Sequence, residues 1–197
     1  MTYPSIVLAS TSRYRRELLE RLRFPFQVEA PDIEETELPS ETPRETALRL
    51  ARNKAAAVFA RFPGAIVIGS DQTVDAGGGS FGKPMSHDTA LAQLQLLQGR
   101  SAIFHTALAV IGPSSASVQL DCIPTTVKFK SLAKEKLEMY LQADQPYDCA
   151  GAAKIESLGI ALIDAVESSD PTALIGLPLI RLTSMLATAG FDVLAPR

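Results

Sequence analysis

Ile6-Val-Leu-Ala-Ser-Thr-Ser-Arg-Tyr-Arg-Arg-Glu-Leu-Leu-Glu-Arg-Leu22 is the stretch whose reading decides the fold. A short apolar run passes through a hydroxyl-bearing turn into an amphipathic segment, which predicts a buried strand over residues 5–9 followed directly by a helix. Arg15, Leu18, Leu19 and Leu22 recur at the i, i+3, i+4, i+7 spacing of one helix face, so Arg15 stands at the N-terminal end of the apolar stripe. The unsatisfied backbone N–H groups of a helix start, with Ser10, Ser12, Arg13, Arg15 and Arg16 around them, suit an anion such as a phosphate chain. The plainer alternative is a helix capped by its hydroxyls, with solvated arginines.

Working outward, residues 26–29 read as a second short strand, followed by an acidic loop without periodicity. Its acids, Glu29, Asp32, Glu34, Glu35 and Glu37, form a solvated surface or, in part, hold a divalent metal. Thr42-Pro-Arg-Glu45 combines a capping box with proline at the first helical position. The helix that follows carries Ala47, Leu50, Ala51, Ala55, Val58, Phe59 and Phe62 and is stopped by Pro63-Gly64. Lys54 falls near that buried face, where a lysine stem ordinarily snorkels to solvent. Ala65-Ile-Val-Ile-Gly-Ser-Asp-Gln-Thr-Val74 is a continuous apolar run of the kind that forms a central strand. Asp71, read at its carboxyl end, occupies the position where open α/β sheets bind ligands, with a turn or cap acid as the alternative.

Residues 75–79 predict the tight turn of a small hairpin, and Gly82-Lys-Pro84 completes it. No Gly-Lys-Ser/Thr follows the glycines, which excludes a Walker phosphate loop, but Lys83 remains a candidate phosphate contact. Ser86 opens a helix striped by Ala90, Leu91, Leu94 and Leu97. Residues 101–111 and 118–129 read as two long strands joined by a hairpin-like connection over 112–117. His105, without a His or Cys partner at metal spacing, reads as a hydrogen-bonded strand histidine, with a ligand as the alternative. Ser131 is the expected cap of a helix through Ala143. A small-residue loop over 147–156 leads to a strand over 160–166, and alternation puts Lys154 and Glu156 on one face, as a salt bridge or a ligand contact. Ile180, Leu182, Met185 and Leu186 pack the last helix.

With 197 residues and 46% hydrophobic content the chain is long enough for one substantial core or for two lobes sharing an interface, and a single domain spanning 1–197 is the expectation. A formal charge of −3 lacks the basic field that draws in nucleic acid or anionic membrane, so any phosphate binding is local. No stretch is long and apolar enough to span a bilayer, and the start has no signal-peptide pattern, so a cytoplasmic location is expected. Cys122 and Cys149 read as reduced, partly buried thiols.

Seven pieces in order carry a resemblance. They are Leu8-Ala-Ser-Thr-Ser12 with Arg15-Arg-Glu-Leu-Leu19, the acidic loop through Glu35, Arg49-Leu-Ala-Arg-Asn-Lys-Ala55, Gly69-Ser-Asp-Gln72, Gly82-Lys-Pro84, Ala150-Gly151 and Ile175-Gly-Leu-Pro-Leu179. Together they resemble the Maf family of nucleoside triphosphate pyrophosphatases along nearly the whole chain. The resemblance implies an α/β fold with a mixed, strongly twisted central sheet flanked by helices, and two lobes around a nucleotide cleft. It also implies a divalent cofactor, Mg²⁺ or Mn²⁺, a nucleoside triphosphate as partner, and a homodimer. By the same resemblance Asp71 is the proton acceptor and a metal ligand with Glu35, while Ser10, Ser12, Arg15, Lys54 and Lys83 contact the phosphates.

Tyr14, Gln72 and Glu156 make the chain similar to the branch acting on 7-methyl-GTP rather than the branch acting on dTTP and UTP. A 7-methylated guanine carries delocalised positive charge, which an aromatic face and a carboxylate both favour. Arg13 stands where the family commonly has proline, and Tyr14 where this branch often has tryptophan. The alternatives are a pyrophosphatase for dTTP, UTP or other non-canonical nucleotides and, from a different class, a nucleotide-binding regulator of septum formation.

Overall fold

The computed structural model describes residues 4–77, 80–113 and 118–195. Its strands are β1 (Ile6–Ala9), β2 (Gln27–Glu29), β3 (Ile66–Asp75), β4 (Ser80–Phe81), β5 (Ser101–Ile111), β6 (Val118–Phe129) and β7 (Ile163–Ser168). Its helices are α1 (Arg13–Glu20), α2 (Pro43–Phe59), α3 (His87–Leu97), α4 (Lys134–Asp144) and α5 (Leu179–Thr188). The strands form one mixed sheet in the order β2-β1-β3-β5-β6-β7, with β4 paired to β3. This is the expected α/β class.

The chain divides into two compact units. The first comprises residues 1–71, 106–123 and 170–197, the second 72–105 and 124–169, so β3, β5 and β6 each contribute to both.

In the first unit β1 runs parallel to β2 and to β3, with Ala9 opposite Gly69. Alternation then sorts the apolar runs onto two buried faces. Ile6, Leu8, Ile66, Ile68, Leu108 and Val110 meet Leu18 and Leu19 of α1 and Leu182, Met185 and Leu186 of α5. Val7, Ala9, Val67, Ala107 and Ala109 meet Ala47, Ala51, Ala55 and Val58 of α2. Helices α1 and α2, which flank β2 in the chain, therefore lie on opposite faces. The carboxyl end of β1, where Ala9 lies opposite Gly69 of β3, is a topological switch point between them, the kind of place where open α/β sheets bind ligands.

The capping box at Thr42 is present, with Glu45 N donating to Thr42 Oγ1 and Thr42 N donating to Glu45 Oε2. Helix α2 ends at Phe59, a turn before the expected stop, and residues 60–62 form turns. Asp71 is not at the end of its strand: β3 continues to Asp75 because its last residues pair with β4, Val74 opposite Phe81. Ile180, expected to pack, is exposed; Leu182, Met185 and Leu186 alone form the buried stripe of α5.

Strands β5 and β6 have the expected limits, whereas residues 78–79 and 114–117, which fall in the two expected turns, lie outside the described residues. Ser131 is not a cap. Helix α4 begins three residues later, after Ala133, which makes no side-chain cap hydrogen bond, and Leu132 N donates instead to Gln98 Oε1. The strand expected over 160–166 begins at Ile163, and residues 158–162 are a 3₁₀ segment. Residues 155–157 form a turn, so the strand alternation that paired Lys154 with Glu156 does not apply. Lys154 Nζ lies instead 3.7 Å from Asp144 Oδ1.

Candidate active site

Gly69 explains how the site is built. A methyl group there would stand 2.7 Å from Ala55 N and 2.9 Å from Ala55 Cβ, and closer still to the Ala51 carbonyl oxygen. Only glycine lets the α2 backbone lie this close to β3. Asp71, two residues on, faces the same side of the strand, and Lys54 projects from α2 between the small residues Ala51 and Ala55. The result is a short ion pair: Lys54 Nζ lies 2.7 Å from Asp71 Oδ1, with Lys54 4% and Asp71 6% exposed. Lys54 does not snorkel; a partner carboxylate inside the fold replaces solvent. Its ammonium also lies 2.8 Å from Glu35 Oε2, whose side chain is half-exposed.

Burial pushes the Asp71 carboxyl above its ordinary range, against the opposing pull of Lys54 and Arg15, and Glu35 pushes it further up. Arg15, at the first turn of α1, is lowered by burial and raised by Asp71 and Glu35. Its Nε donates to the Gly176 carbonyl at 2.9 Å, and the same oxygen lies 2.9 Å from Ser70 Oγ. Ser12 caps α1, accepting weakly from Arg15 N at 3.5 Å, while the buried Ser10 hydroxyl accepts from Ser12 N at 3.1 Å. The hydroxyl turn is thus both a cap and one side of the charged cluster. On the same helix Arg13 lies over the Tyr14 ring at 4.6 Å and donates to Tyr14 Oη at 2.7 Å.

The first unit gathers Ser10, Ser12, Tyr14, Arg15, Glu35, Lys54 and Asp71. Gln72, Lys83 and Glu156 belong to the second. Lys83 is exposed between Gly82, whose carbonyl accepts from Gln93 Nε2 at 3.2 Å, and the buried Pro84. Glu156 sits on a braced turn: Tyr140 Oη donates to Ala152 O and accepts from Lys154 N, both at 3.0 Å, and Ser157 Oγ donates to Asp144 Oδ1 at 2.6 Å. Although Glu156 as a residue is exposed, partial burial of its carboxyl is the largest influence raising its pKa; Asp144 and Asp148 add to this, while Lys154 opposes it.

Sequence reasoning missed Ser70, Gly176, Glu41 and Asp170. Asp170 is buried and accepts from Thr172 N and Oγ1 through Oδ1, and from Ile180 N and Arg181 N through Oδ2. It caps α5 from across a loop, and no local spacing signals that.

Oxygen donors only, two carboxylates on one cation, suit a hard divalent ion. Among the described residues there is no group of three or more His, Cys, Asp or Glu side chains placed to hold a metal. The donor set therefore fits an ion that takes one or two carboxylates and completes its shell from phosphate and water.

Fold and site together define an α/β protein with a buried carboxylate–ammonium cluster at the switch point of its sheet. The chain belongs to the Maf-like protein family, whose sequence profile matches residues 5–189. It is 55% identical to the 7-methyl-GTP pyrophosphatase of Thiobacillus denitrificans, covering 98% of this chain and 96% of that protein. It is 52% identical to the 7-methyl-GTP pyrophosphatase of Methylobacillus flagellatus, covering 97% of this chain and 100% of that one. The protein of that name from Burkholderia pseudomallei is 58% identical, covering 96% and 90%. A HAM1 protein from Coxiella burnetii shares the fold at a TM-score of 0.53 and 18% identity, over 94% of this chain and 100% of that one.

Proposed function

We propose that this chain is a nucleotide pyrophosphatase that hydrolyses the α–β phosphoanhydride of 7-methyl-GTP, giving 7-methyl-GMP and pyrophosphate. The carrying observation is the buried Asp71–Lys54 pair, with the half-exposed Glu35 on the same ammonium and Arg15 coupled to both carboxylates, in a chain 52–58% identical to proteins named for that activity.

Hydrolysis requires charge neutralisation, a positioned water and a proton acceptor. Glu35 and Asp71 would hold Mg²⁺ or Mn²⁺, which when bound neutralises phosphate charge. Two of the three Lys54 ammonium donors face the carboxylates, and the third serves a phosphate oxygen. Arg15 and the Ser10 and Ser12 hydroxyls supply further positive charge and donors; Lys83 is a phosphate contact by the family resemblance. Asp71, its proton affinity raised by burial, takes the proton of the attacking water. The water oxygen bonds to the α-phosphorus, the bridging P–O bond breaks, and pyrophosphate leaves. Tyr14 offers an aromatic ring for the cationic base; Gln72 and Glu156 carry the groups that read a guanine edge, a role that rests on the family resemblance. A cytoplasmic location accords with two free thiols, Cys122 and Cys149. No helix of the described residues is long and apolar enough to cross a membrane.

The test is pyrophosphate release from 7-methyl-GTP beside GTP, dTTP, UTP and CTP, with and without Mg²⁺. The expected result is Mg²⁺-dependent release with 7-methyl-GTP preferred. Asp71→Asn lowers turnover about a hundredfold or more, and Glu156→Gln shifts the substrate ratio away from 7-methyl-GTP. A preference for dTTP or UTP would reassign the base; release from none would leave a binding role.

A further inference from the structure

Glu35 lies in a segment without regular secondary structure, residues 30–38, yet its carboxylate is 2.8 Å from a buried ammonium. Something must hold the segment there. Helix α2 does so through arginine. Arg49 Nε lies 2.5 Å from Glu41 Oε1 and Arg49 Nη2 2.7 Å from Glu41 Oε2, a two-point fork. The same Nη2 donates to the Thr36 carbonyl at 3.0 Å, the residue next to Glu35. Thr46 Oγ1 donates to Glu41 Oε2 at 3.0 Å, so Glu41 is seated from two positions of one helix. At the other end of the segment Arg61 donates to the Ala30 carbonyl and lies 3.9 Å from Glu29 and 3.8 Å from Asp32.

We propose that Arg49 is a positioning residue for Glu35: its fork on Glu41 and Thr36 delivers the Glu35 carboxylate to the Lys54–Asp71 pair and so sets the site's affinity for a divalent cation. This rests on the reading of Glu35 as a metal-holding carboxylate. Arg49 and Lys54 share one helix, so a single rigid element fixes both the cluster and the loop that completes it. With Glu35 itself half-exposed, its pairing with the buried Lys54 ammonium is weak by itself against the entropy of a free loop. A lysine at position 49 carries the charge but not the planar fork that reaches a carboxylate and a carbonyl together.

The test uses the full-length protein with Mn²⁺ alone, titrated by electron paramagnetic resonance, together with hydrogen exchange of residues 30–41 and a melting curve. Arg49→Gln is expected to weaken Mn²⁺ binding about tenfold, the scale seen when an outer-shell partner is lost, and to speed exchange within the loop. Glu41→Gln does the same, Arg49→Lys does not restore binding, and Arg49→Gln on a Glu35→Gln background weakens it no further. If Arg49→Gln lowers the melting temperature while Mn²⁺ affinity stays native and Glu35→Gln weakens it, Arg49 is merely structural and the proposal falls alone. If Glu35→Gln leaves Mn²⁺ affinity native, or the wild-type protein takes up no Mn²⁺, the Glu35 reading falls and this proposal with it.

Discussion

At Lys54 one nitrogen holds two carboxylates, one buried and one half-exposed, so its removal should be felt as a change in Asp71 rather than as a lost surface contact. Lys54 is a principal influence lowering the Asp71 pKa against burial. Lys54→Met therefore raises that pKa further, and the acid limb of the pH–rate profile moves to higher pH. The sign for stability follows from the same direction. A carboxyl whose folded pKa lies above its unfolded value contributes stability that is fully present below the unfolded pKa and is lost as pH rises through the folded one. The variant's deficit in urea unfolding should therefore widen from acid to neutral pH, towards the roughly 3–5 kcal/mol expected when one partner of a buried pair is removed. A deficit independent of pH would refute the coupling. Helical spacing showed that Lys54 faces inward, but its buried charge partner Asp71 stands on β3, so the snorkelling expectation failed for want of a long-range contact. The inward position of Arg15 was legible because an arginine opening an apolar stripe is a local pattern, whereas Asp71 was read at a strand end and lies inside β3, since the pairing with β4 that lengthens the strand is not a local signal.

At the scale of elements, the packing of α2 on β3 is what turns Lys54 and Asp71 into a pair. Gly69→Ala must push α2 away, since the added methyl meets helix backbone rather than a yielding side-chain tip. The expected cost is about 1–3 kcal/mol, with a loss of turnover larger than that cost implies, because Lys54 moves with the helix. Gly112→Ala is the control: its methyl would lie an ordinary 3.7 Å from Ala189 Cβ, so both readouts should stay near wild type. Equal behaviour of the two variants in denaturation and turnover would contradict the close-approach argument. The capping box of α2 and the limits of β5 and β6 could be read directly, since capping chemistry and long apolar alternation are local. The start of α4 could not: Ser131 offers a capping hydroxyl, but residues 130–132 are engaged elsewhere, Lys130 N with Leu162 O and Leu132 N with Gln98. The turn at 155–157 was misread for a related reason, because Gly159 fits only against the Lys154 backbone, and its neighbours reveal no period of their own.

At the scale of the whole molecule, the first unit is assembled from three separate pieces of chain, and its last piece enters at Asp170. That piece brings Leu177, Leu182, Met185, Leu186 and Phe191 to the core and the Gly176 carbonyl to Arg15 and Ser70. Helix α5 has no side-chain cap of its own, because Pro178 stands at the N-cap. Asp170 supplies the missing acceptor: Oδ2 takes Ile180 N at 2.7 Å and Arg181 N at 3.2 Å, while Oδ1 orders Thr172. Thr172 Oγ1 in turn takes Leu179 N at 2.8 Å and lies 2.8 Å from Leu177 O, so one carboxylate organises the loop on both sides of Gly176. Asp170→Ala removes a helix cap and leaves the part-buried Ile180 and Arg181 N–H groups without their acceptor, a loss of about 2 kcal/mol. Asp170→Asn keeps one acceptor oxygen and should lose about half as much. Urea denaturation at constant slope checks both, and the activity still present below each variant's transition should fall as well, because the Gly176 carbonyl that seats Arg15 loosens with the loop. An Asp170→Ala protein of native midpoint would mean that α5 is held by its apolar face alone.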